Sequence, residues 1–216
     1  MPFDAPVPSQ YSLYRQQHTL GAEVVLSGVG VHSGTAAEIR IAPAPTGHGI
    51  VFIRSDLNAD NIISAHYENV SATQLCTVMQ NAGGATIATI EHVMAALRGL
   101  GIDNAKISVN GPEVPILDGS AQPYITAIDA AGIAEQTAPR RVLRILRDVR
   151  VDGAAGRYGD DKCFAQISPA QHSEFEFQID YPGTAIGTQK YSVRLINGNF
   201  RHDIAAARTF GLRSDV

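Results

Sequence analysis

The sequence predicts an α+β fold built from two similar two-layer domains, each a sheet packed against helices, with the second domain truncated. Short β-branched segments closed by Gly, Pro or Asp occur in two separate regions, from Thr19 onward and again after residue 138. Helical periodicity follows the first region between residues 85 and 132, and a helix-like tail follows the second. This repeated order of strands and then helix indicates two layered halves.

The first domain begins with three predicted strands, which have the alternating pattern of a small antiparallel sheet. They lie within residues 22–34 (AEVVLSGVGVHSG), 36–43 (AAEIRIAP) and 49–56 (GIVFIRSD). Residues 1–18 contain Asp4, three prolines and no apolar run. They are therefore predicted to form a loose leader rather than a signal peptide.

An amphipathic helix is predicted within residues 89–101 (TIEHVMAALRGLG). Its apolar residues at positions i, i+3, i+4 and i+7 are Ile90, Val93, Met94 and Leu97. Thr89 is expected to cap the helix, and Glu91 lies in the first turn, where the helix dipole favours an anion. Gly99 and Gly101 are expected to end it.

A strand over residues 105–109 and a second helix complete the predicted first domain. The helix lies within residues 115–132 (PILDGSAQPYITAIDAAG), with Asp118 or Ser120 as its cap, and it ends at Gly132. The polar segment that follows, AEQTAPRR, contains a proline and predicts a domain boundary near residue 138. The first domain is therefore predicted to span residues 19–138.

Residues 139–216 are predicted to form an incomplete second α+β domain. Its expected strands lie in residues 141–151 (RVLRILRDVRV), 163–168 (CFAQIS) and 174–181 (EFEFQIDY). The last of these shows clean period-two alternation. The tail HDIAAARTFGLRSDV is helix-like and stops at Val216.

Composition excludes several classes of protein. The 216 residues are 44% hydrophobic and 18% charged, which is typical of a globular chain and not of a disordered one. The net charge of -4 and the lack of a dense basic stripe argue against nucleic acid as the main partner. No segment is long and apolar enough to predict a transmembrane helix. Cys76 and Cys163 form no C-x-x-C pair, which favours a reducing cytoplasm.

Among the residues able to do chemistry, the pair Glu91-His92 is the most suggestive. Adjacent helix positions point about 100° apart, so the histidine could bind a metal ion while the glutamate addresses metal-activated water. A solvated glutamate beside a half-buried histidine is the commoner explanation of such a dipeptide. The residue pattern alone leaves both interpretations open.

Three other features have simple structural explanations. His32 lies at a glycine-rich corner that could approach a phosphate, although loop histidines are usually just solvated. The side chains of His202 and Asp203 diverge, which favours a capping role over chelation of one ion. Gly28-x-Gly30 lacks the third glycine and the following helix of a dinucleotide-binding fingerprint.

Residues 89–124 (TIEHVMAALRGLGIDNAKISVNGPEVPILDGSAQPY) resemble the signature of the UDP-3-O-acyl-N-acetylglucosamine deacetylase family, the zinc hydrolases of lipid A biosynthesis. Four further motifs occur in the order found in that family. They are GVGVHSG (28–34), SDLN (55–58), QLCT (74–77) and ARTFG (207–211). The resemblance therefore covers the chain from residue 19 to residue 216.

The resemblance implies two similar α+β halves with the active site at their junction. It implies that His92 is a zinc ligand, that Glu91 is the general base and that Thr209 stabilises the oxyanion. Phe210 would line the substrate region. The implied reaction removes the N-acetyl group from UDP-3-O-acyl-N-acetylglucosamine, the committed step of lipid A biosynthesis. Such a substrate suits a cytoplasmic enzyme that contacts the inner membrane peripherally.

The resemblance also implies that two of the three zinc ligands and the general-acid histidine lie beyond the ARTFG motif. None of them occurs in residues 1–216, so we expect this chain alone to bind zinc poorly and to be inactive. Two hypotheses remain open from the sequence. The chain is either part of a zinc-dependent deacetylase or a naturally shortened, non-catalytic relative that binds a nucleotide-sugar or a protein partner.

Overall fold

The fold is α+β, as the sequence predicts, in a computed structural model that describes residues 16–155, 162–196 and 198–211. The strands are β1 (Gln16–Leu20), β2 (Val24–Val29), β3 (Ala36–Pro43), β4 (Ile50–Arg54), β5 (Ile62–Ser64), β6 (Val70–Ala72), β7 (Val78–Gln80), β8 (Thr86–Ile87), β9 (Ala105–Val109), β10 (Ile133–Pro139), β11 (Val149–Ala155), β12 (Lys162–Ile167), β13 (Ser173–Tyr181) and β14 (Gly187–Leu195). The helices are α1 (Glu91–Leu100), α2 (Gln122–Ala131) and α3 (Phe200–Asp203), with a short 3-10 helix at Tyr67–Asn69. Within the described ranges, no helix has the length and apolar character needed to cross a membrane.

Contacts divide the chain into two units. Unit 1 contains the described residues up to Arg140 together with those from Phe200 onward, and unit 2 is Arg141–Asn199. The sequence instead predicts one continuous second domain from residue 139 to residue 216. The difference arises because residues after Phe200 pack onto unit 1.

Unit 1 is built on a five-stranded sheet with the order β2-β3-β9-β4-β5. Strands β4 and β9 run parallel, and the other neighbours are antiparallel. A parallel pair needs a long crossover connection, and here that connection contains α1. In β3, Ala37, Ile39 and Ile41 are buried while Arg40 is exposed on the other face. This alternation confirms the predicted half-buried strand.

Helix α1 buries Val93 and Leu97 and ends before Gly101, as predicted, whereas Met94 is only half-buried and Gly99 lies inside the helix rather than ending it. Its buried residues are Val93, Ala96, Leu97 and Leu100. Gly101 adopts a left-handed φ of +73°, and its N–H donates to the carbonyls of Arg98 and Leu97. A residue with a side chain would be strained there, which explains why the helix ends at a glycine.

The prediction that Thr89 caps α1 is wrong. The N-cap residue is Ile90, which makes no side-chain capping hydrogen bond. The Thr89 hydroxyl donates instead to the carboxylate of Glu113, at 2.9 Å. The side chain that could cap the helix is therefore used in a tertiary contact.

The predicted second helix is present as α2, but its N-cap is Ala121 rather than Asp118 or Ser120. Ser120 still contributes, because its hydroxyl accepts a hydrogen bond at 3.1 Å from the backbone N–H of Gln122. The helix stops before Gly132, as expected. Its fully buried Tyr124 donates to the carbonyl of Pro115 at 2.6 Å, and burial raises the pKa of the Tyr124 hydroxyl.

Strands β1 and β10 form a ribbon that the sequence does not predict. Gln16–His18 fall in the predicted leader and residues 134–139 in the predicted linker, yet the two segments pair antiparallel. The buried Asn104 side chain donates to Gln17 at 2.8 Å and to Gln136 at 2.7 Å. Many residues of the ribbon are polar and form contacts of this kind. The two segments therefore lack the alternation of apolar residues that would have predicted strands.

Residues 200–211 return to unit 1 through side-chain and backbone contacts. The Phe200 ring is buried against Gly99, where an added Cβ would overlap the ring. The backbone N–H of Ala121 donates to the carbonyl of Ala205 at 3.1 Å. The absence of a side chain at Gly99 therefore makes room for the Phe200 ring.

Unit 2 contains two antiparallel hairpins, β11–β12 and β13–β14. They confirm the strands predicted around residues 163–168 and 174–181. The strand predicted over residues 141–151 is wrong before Val149, because residues 141–148 form no strand. In that segment Leu143 is 90% exposed, so its apolar side chains find no sheet to pack against among the described residues of the unit.

A charged contact stabilises the end of β4. The buried guanidinium of Arg54 donates two hydrogen bonds to Asp56, at 2.8 and 2.7 Å, and a third to the carbonyl of Thr86 at 2.6 Å. The hydrogen bonds from Arg54 lower the pKa of Asp56 from its ordinary value of 3.8, despite the opposing effect of burial. Arg54, held by Asp56, therefore links the end of β4 to β8.

We expect Gly99→Ala to destabilise unit 1, although the same change usually stabilises a helix by about 1 kcal/mol. The new methyl group would displace Phe200, and overpacking of this kind lowers the free energy of unfolding by about 1–3 kcal/mol. Urea unfolding followed by circular dichroism measures the effect. Gly111→Ala is the control, because its Cβ would lie in open space. Equal or higher stability of Gly99→Ala would contradict the packing argument.

We expect Asp56→Asn to lower the free energy of unfolding at pH 7 by about 1–3 kcal/mol, because Arg54 loses its charged acceptors. The folded pKa of Asp56 lies below its unfolded value, so its contribution is present above about pH 4 and is lost as pH falls through the folded pKa. The stability gap between wild type and variant should therefore close on acidification. Urea titrations from pH 7 to pH 2, with the exposed Asp148→Asn as control, check this, and a pH-independent gap would refute it.

Candidate active site

Glu91 and His92 are the first two residues of α1, and both side chains are half-buried. The Glu91 carboxylate oxygen Oε2 accepts a hydrogen bond from the backbone N–H of Thr77, at 3.2 Å. The positive end of the helix dipole favours an ionised carboxylate at this position. Glu91 is therefore held at one oxygen, beside a histidine that points in a different direction.

The backbone just before this pair is strained. Thr89 is 2% exposed and adopts a φ of +60°, a conformation that β-branched residues rarely take. Such a residue costs about 1–3 kcal/mol and persists only where its surroundings hold it. The hydrogen bond from the Thr89 hydroxyl to Glu113 is one such restraint.

Glu113 is a buried carboxylate, 4% exposed, that receives hydrogen bonds from two separate segments. Oε1 accepts from the His32 N–H at 3.0 Å and from the Thr89 hydroxyl at 2.9 Å, while Oε2 accepts from the Ser33 N–H at 2.8 Å. Burial raises the pKa of Glu113, but these donors outweigh it and leave the pKa below its ordinary value. Glu113 is therefore ionised at neutral pH.

This carboxylate accounts for the glycine-rich corner around His32. The N–H groups of His32 and Ser33 donate to Glu113, so they are not available to a phosphate. A Cβ at Gly30 would overlap Glu113, and a Cβ at Gly28 would lie 3.1 Å from Cβ of Pro115. Gly28 and Gly30 therefore allow close packing against other parts of the chain. This is a structural role, different from the role of glycines in a dinucleotide-binding fingerprint.

Glu113 begins a stretch that we name the bridging segment, Glu113–Gly119. At its start, the N–H of Val114 donates to the carbonyl of Ala88 at 3.1 Å. At its end, the Gly119 carbonyl accepts from the N–H of Thr209 at 2.8 Å. Gly119 has a φ of +82°, which only glycine adopts readily. One short segment thus contacts both the residues before α1 and the ARTFG motif.

The predicted site residues Glu91 and His92 are neighbours, whereas Thr209 is connected to their unit through a separate contact. Glu91 and His92 share the first turn of α1, and Thr209 joins the same unit through the bridging segment. Thr209 is exposed, and the ring of the adjacent Phe210 is 48% exposed. His202 and Asp203 lie on α3 and are both exposed, as expected for a surface role.

Within residues 16–155, 162–196 and 198–211, no group of three or more His, Cys, Asp and Glu side chains is arranged to hold a metal ion. The half-buried His92 imidazole is of a type that zinc commonly binds. It can supply one ligand.

Sequence reasoning missed Glu113. Its signal lies in the segment NGPEVPILDG, where one acidic residue stands among prolines and apolar residues. A carboxylate buried in such surroundings needs several hydrogen-bond donors. The sequence gives no indication that these donors come from residues 32, 33 and 89.

Comparison with family models gives a match over most of the chain. Residues 17–216 match the model of the LpxC family, UDP-3-O-acyl N-acetylglycosamine deacetylase. The match covers most of the chain and includes all the motifs on which the sequence resemblance rests.

Relatives from several bacteria are similar over nearly the whole chain. A UDP-3-O-acyl-N-acetylglucosamine deacetylase of Phenylobacterium zucineum is 45% identical over 201 residues, which are 93% of this chain and 66% of the relative. Proteins of the same name from Brucella ovis and Brucella canis are 43% identical over 200 residues, 93% of this chain and 67% of each relative. The chain thus spans about two thirds of the length of these relatives. On this evidence, the chain belongs to the UDP-3-O-acyl N-acetylglycosamine deacetylase family.

Proposed function

We propose that this chain forms part of a zinc-dependent hydrolase that removes the N-acetyl group from UDP-3-O-acyl-N-acetylglucosamine. The observation that carries the proposal is the bridging segment. Its first residue holds Thr89, just before Glu91 and His92, and its last residue holds Thr209. The Glu91-His92 pair and Thr209, which are more than 100 positions apart in sequence, are thereby connected to one short stretch of backbone.

His92 would hold the zinc ion, with its remaining ligands supplied by residues other than those described. Bound zinc would polarise the acetamide carbonyl and acidify a water molecule. Histidine is a common zinc ligand, and the half-buried position of His92 limits the competition from solvent. Its neighbour Glu91 diverges from it on the helix and is therefore able to address the water rather than the metal.

In the proposed mechanism, Glu91 accepts the proton of the attacking water. The N–H of Thr77 holds Oε2, which leaves Oε1 as the proton acceptor. The water oxygen bonds to the acetamide carbon, and the Thr209 hydroxyl donates a hydrogen bond to the developing oxyanion. The C–N bond then breaks to give acetate and the glucosamine amine, which takes up a proton from a general acid. Phe210 would lie against the substrate.

The proposed substrate, UDP-3-O-acyl-N-acetylglucosamine, is the one in the names of the similar proteins. We expect the reaction to take place in the cytoplasm. A UDP-linked head group is water-soluble, while the acyl chain is apolar. Peripheral contact of the protein with the inner membrane surface is therefore part of the proposal.

We expect Glu91→Gln to lower kcat by about 10²–10⁴-fold, because the amide cannot take the proton. The coding DNA is first read past codon 216, and the protein encoded by the complete reading frame is purified. Release of acetate from UDP-3-O-acyl-N-acetylglucosamine is then measured with stoichiometric zinc. His92→Gln should lose both zinc, measured by elemental analysis, and activity.

Glu68→Gln is the matched control, because Glu68 is an exposed carboxylate outside the site. It should retain full activity. A complete protein that binds zinc but releases no acetate would overturn the proposed function. A stop codon after Val216 together with a stable, inactive protein would favour the non-catalytic alternative.

We expect Thr209→Val to lower kcat by about 10²–10³-fold with little change in KM, since it removes a donor used mainly in the transition state. The backbone hydrogen bond from Thr209 to Gly119 does not involve the side chain and should persist. Steady-state kinetics of the complete protein test this, with the exposed Thr126→Val as control. An unchanged kcat would exclude the Thr209 hydroxyl from oxyanion stabilisation.

A further inference from the structure

We propose that Glu113 is a positioning residue, whose carboxylate sets the placement of Glu91 and His92 by locking the backbone at Thr89. The inference rests on the proposed function, because it concerns the same site. Glu113 is buried and its carboxylate is occupied by protein donors, so in this proposal it acts through the residues that it holds.

Thr89 adopts a strained backbone conformation just before α1. With a φ of +60°, Thr89 turns the chain abruptly before Ile90, the N-cap of α1. Without a restraint, a threonine would relax towards ordinary extended or helical angles. That relaxation would redirect the first turn of α1, because only Ile90 separates Thr89 from Glu91.

Three hydrogen bonds with residues 112–114 oppose this relaxation. The Thr89 hydroxyl donates to Oε1 of Glu113 at 2.9 Å. One residue earlier, the N–H of Ala88 donates to the carbonyl of Pro112 at 2.8 Å, and the Ala88 carbonyl accepts from Val114. The backbone hydrogen bonds align Ala88 with residues 112–114. The side-chain hydrogen bond then holds the turn at Thr89.

Glu113 is itself immobilised from the other side. The N–H groups of His32 and Ser33 donate to its two oxygens, and a Cβ at Gly30 would overlap the carboxylate. The carboxylate is thus held in one orientation by a loop that is remote in sequence. A freely rotating glutamate could not fix Thr89, whereas this one can.

The arrangement requires a carboxylate and not merely a polar side chain. The groups that hydrogen-bond to Glu113 are the backbone N–H groups of His32 and Ser33, the Thr89 hydroxyl and the Ser33 side chain. An ionised carboxylate accepts at both of its oxygens and can therefore serve several donors at once. A glutamine of the same shape would direct its NH₂ group at one of these donors, which leaves a buried donor unpaired.

The experiment uses the 216-residue chain and nuclear magnetic resonance, so its readout does not depend on zinc or on substrate. The variants are Glu113→Gln, Thr89→Val and Gly30→Ala, which disturb the same contact from three sides. We expect each to shift the amide resonances of Glu91 and His92. Glu113→Gln should also speed hydrogen exchange at the His32 and Ser33 amides by at least about 10-fold, since it weakens their hydrogen bonds.

Controls separate positioning from loss of stability. Ile128→Val trims the buried face of α2, an element to which Glu113 does not belong, and should lower Tm without shifting Glu91 or His92. Thr89→Ser retains the hydroxyl and should keep the wild-type resonances. The double variant Glu113→Gln with Thr89→Val should shift Glu91 no further than the single variants, because both remove one interaction. If Glu113→Gln does not fold, Thr89→Val and Gly30→Ala carry the same test.

Unchanged Glu91 and His92 resonances in Thr89→Val and Gly30→Ala would overturn the inference. So would equal shifts in Ile128→Val. In the complete protein, we expect Glu113→Gln to lower kcat by about 10–100-fold and to change KM little, as for a misplaced catalytic group. If the wild-type complete protein lacks deacetylase activity while the resonance shifts occur, the proposed function fails and the positioning role of Glu113 stands.

Discussion

The site in unit 1 depends on a single buried carboxylate. Glu113 accepts hydrogen bonds from two segments, and in doing so it joins the His32 corner to Thr89, two positions before Glu91. Burying this charge without such donors would cost several kcal/mol. The glycine at position 30 and the left-handed Thr89 are both explained by the space and direction that this carboxylate requires.

The regular elements could be predicted because their information is local. The alternation in β3 and the 3.6-residue period of α1 appear directly in the sequence, and Gly101 ends the helix where a left-handed residue is needed. The ribbon of β1 and β10 could not be predicted, because its polar residues are stabilised by a partner far along the chain. The same holds for Thr89, whose hydroxyl has two competing uses, local capping and a tertiary hydrogen bond.

The residue types of the candidate site can be found in the sequence, but the contacts between those residues are seen only in the structure. Glu91-His92 is a weak signal as a dipeptide, and its proposed roles come from the family resemblance. The family is confirmed by comparison, whereas the roles of Glu91, His92, Thr209 and Phe210 stay predictions. What the sequence could not show is the bridging segment, because the contacts of Glu113 and Gly119 join residues that are 24 to 90 positions apart along the chain.

The return of residues 200–211 to unit 1 has a consequence for biosynthesis. On a ribosome, the chain emerges from its N-terminus, so Phe200 appears only after all of unit 2 has been made. Until then, Gly99 on α1 lacks the ring that covers it, and the bridging segment lacks Thr209. Unit 1 therefore cannot complete its folding during translation of its own first 140 residues. Its nascent form must remain soluble with an open apolar face while the inserted hairpins are synthesised.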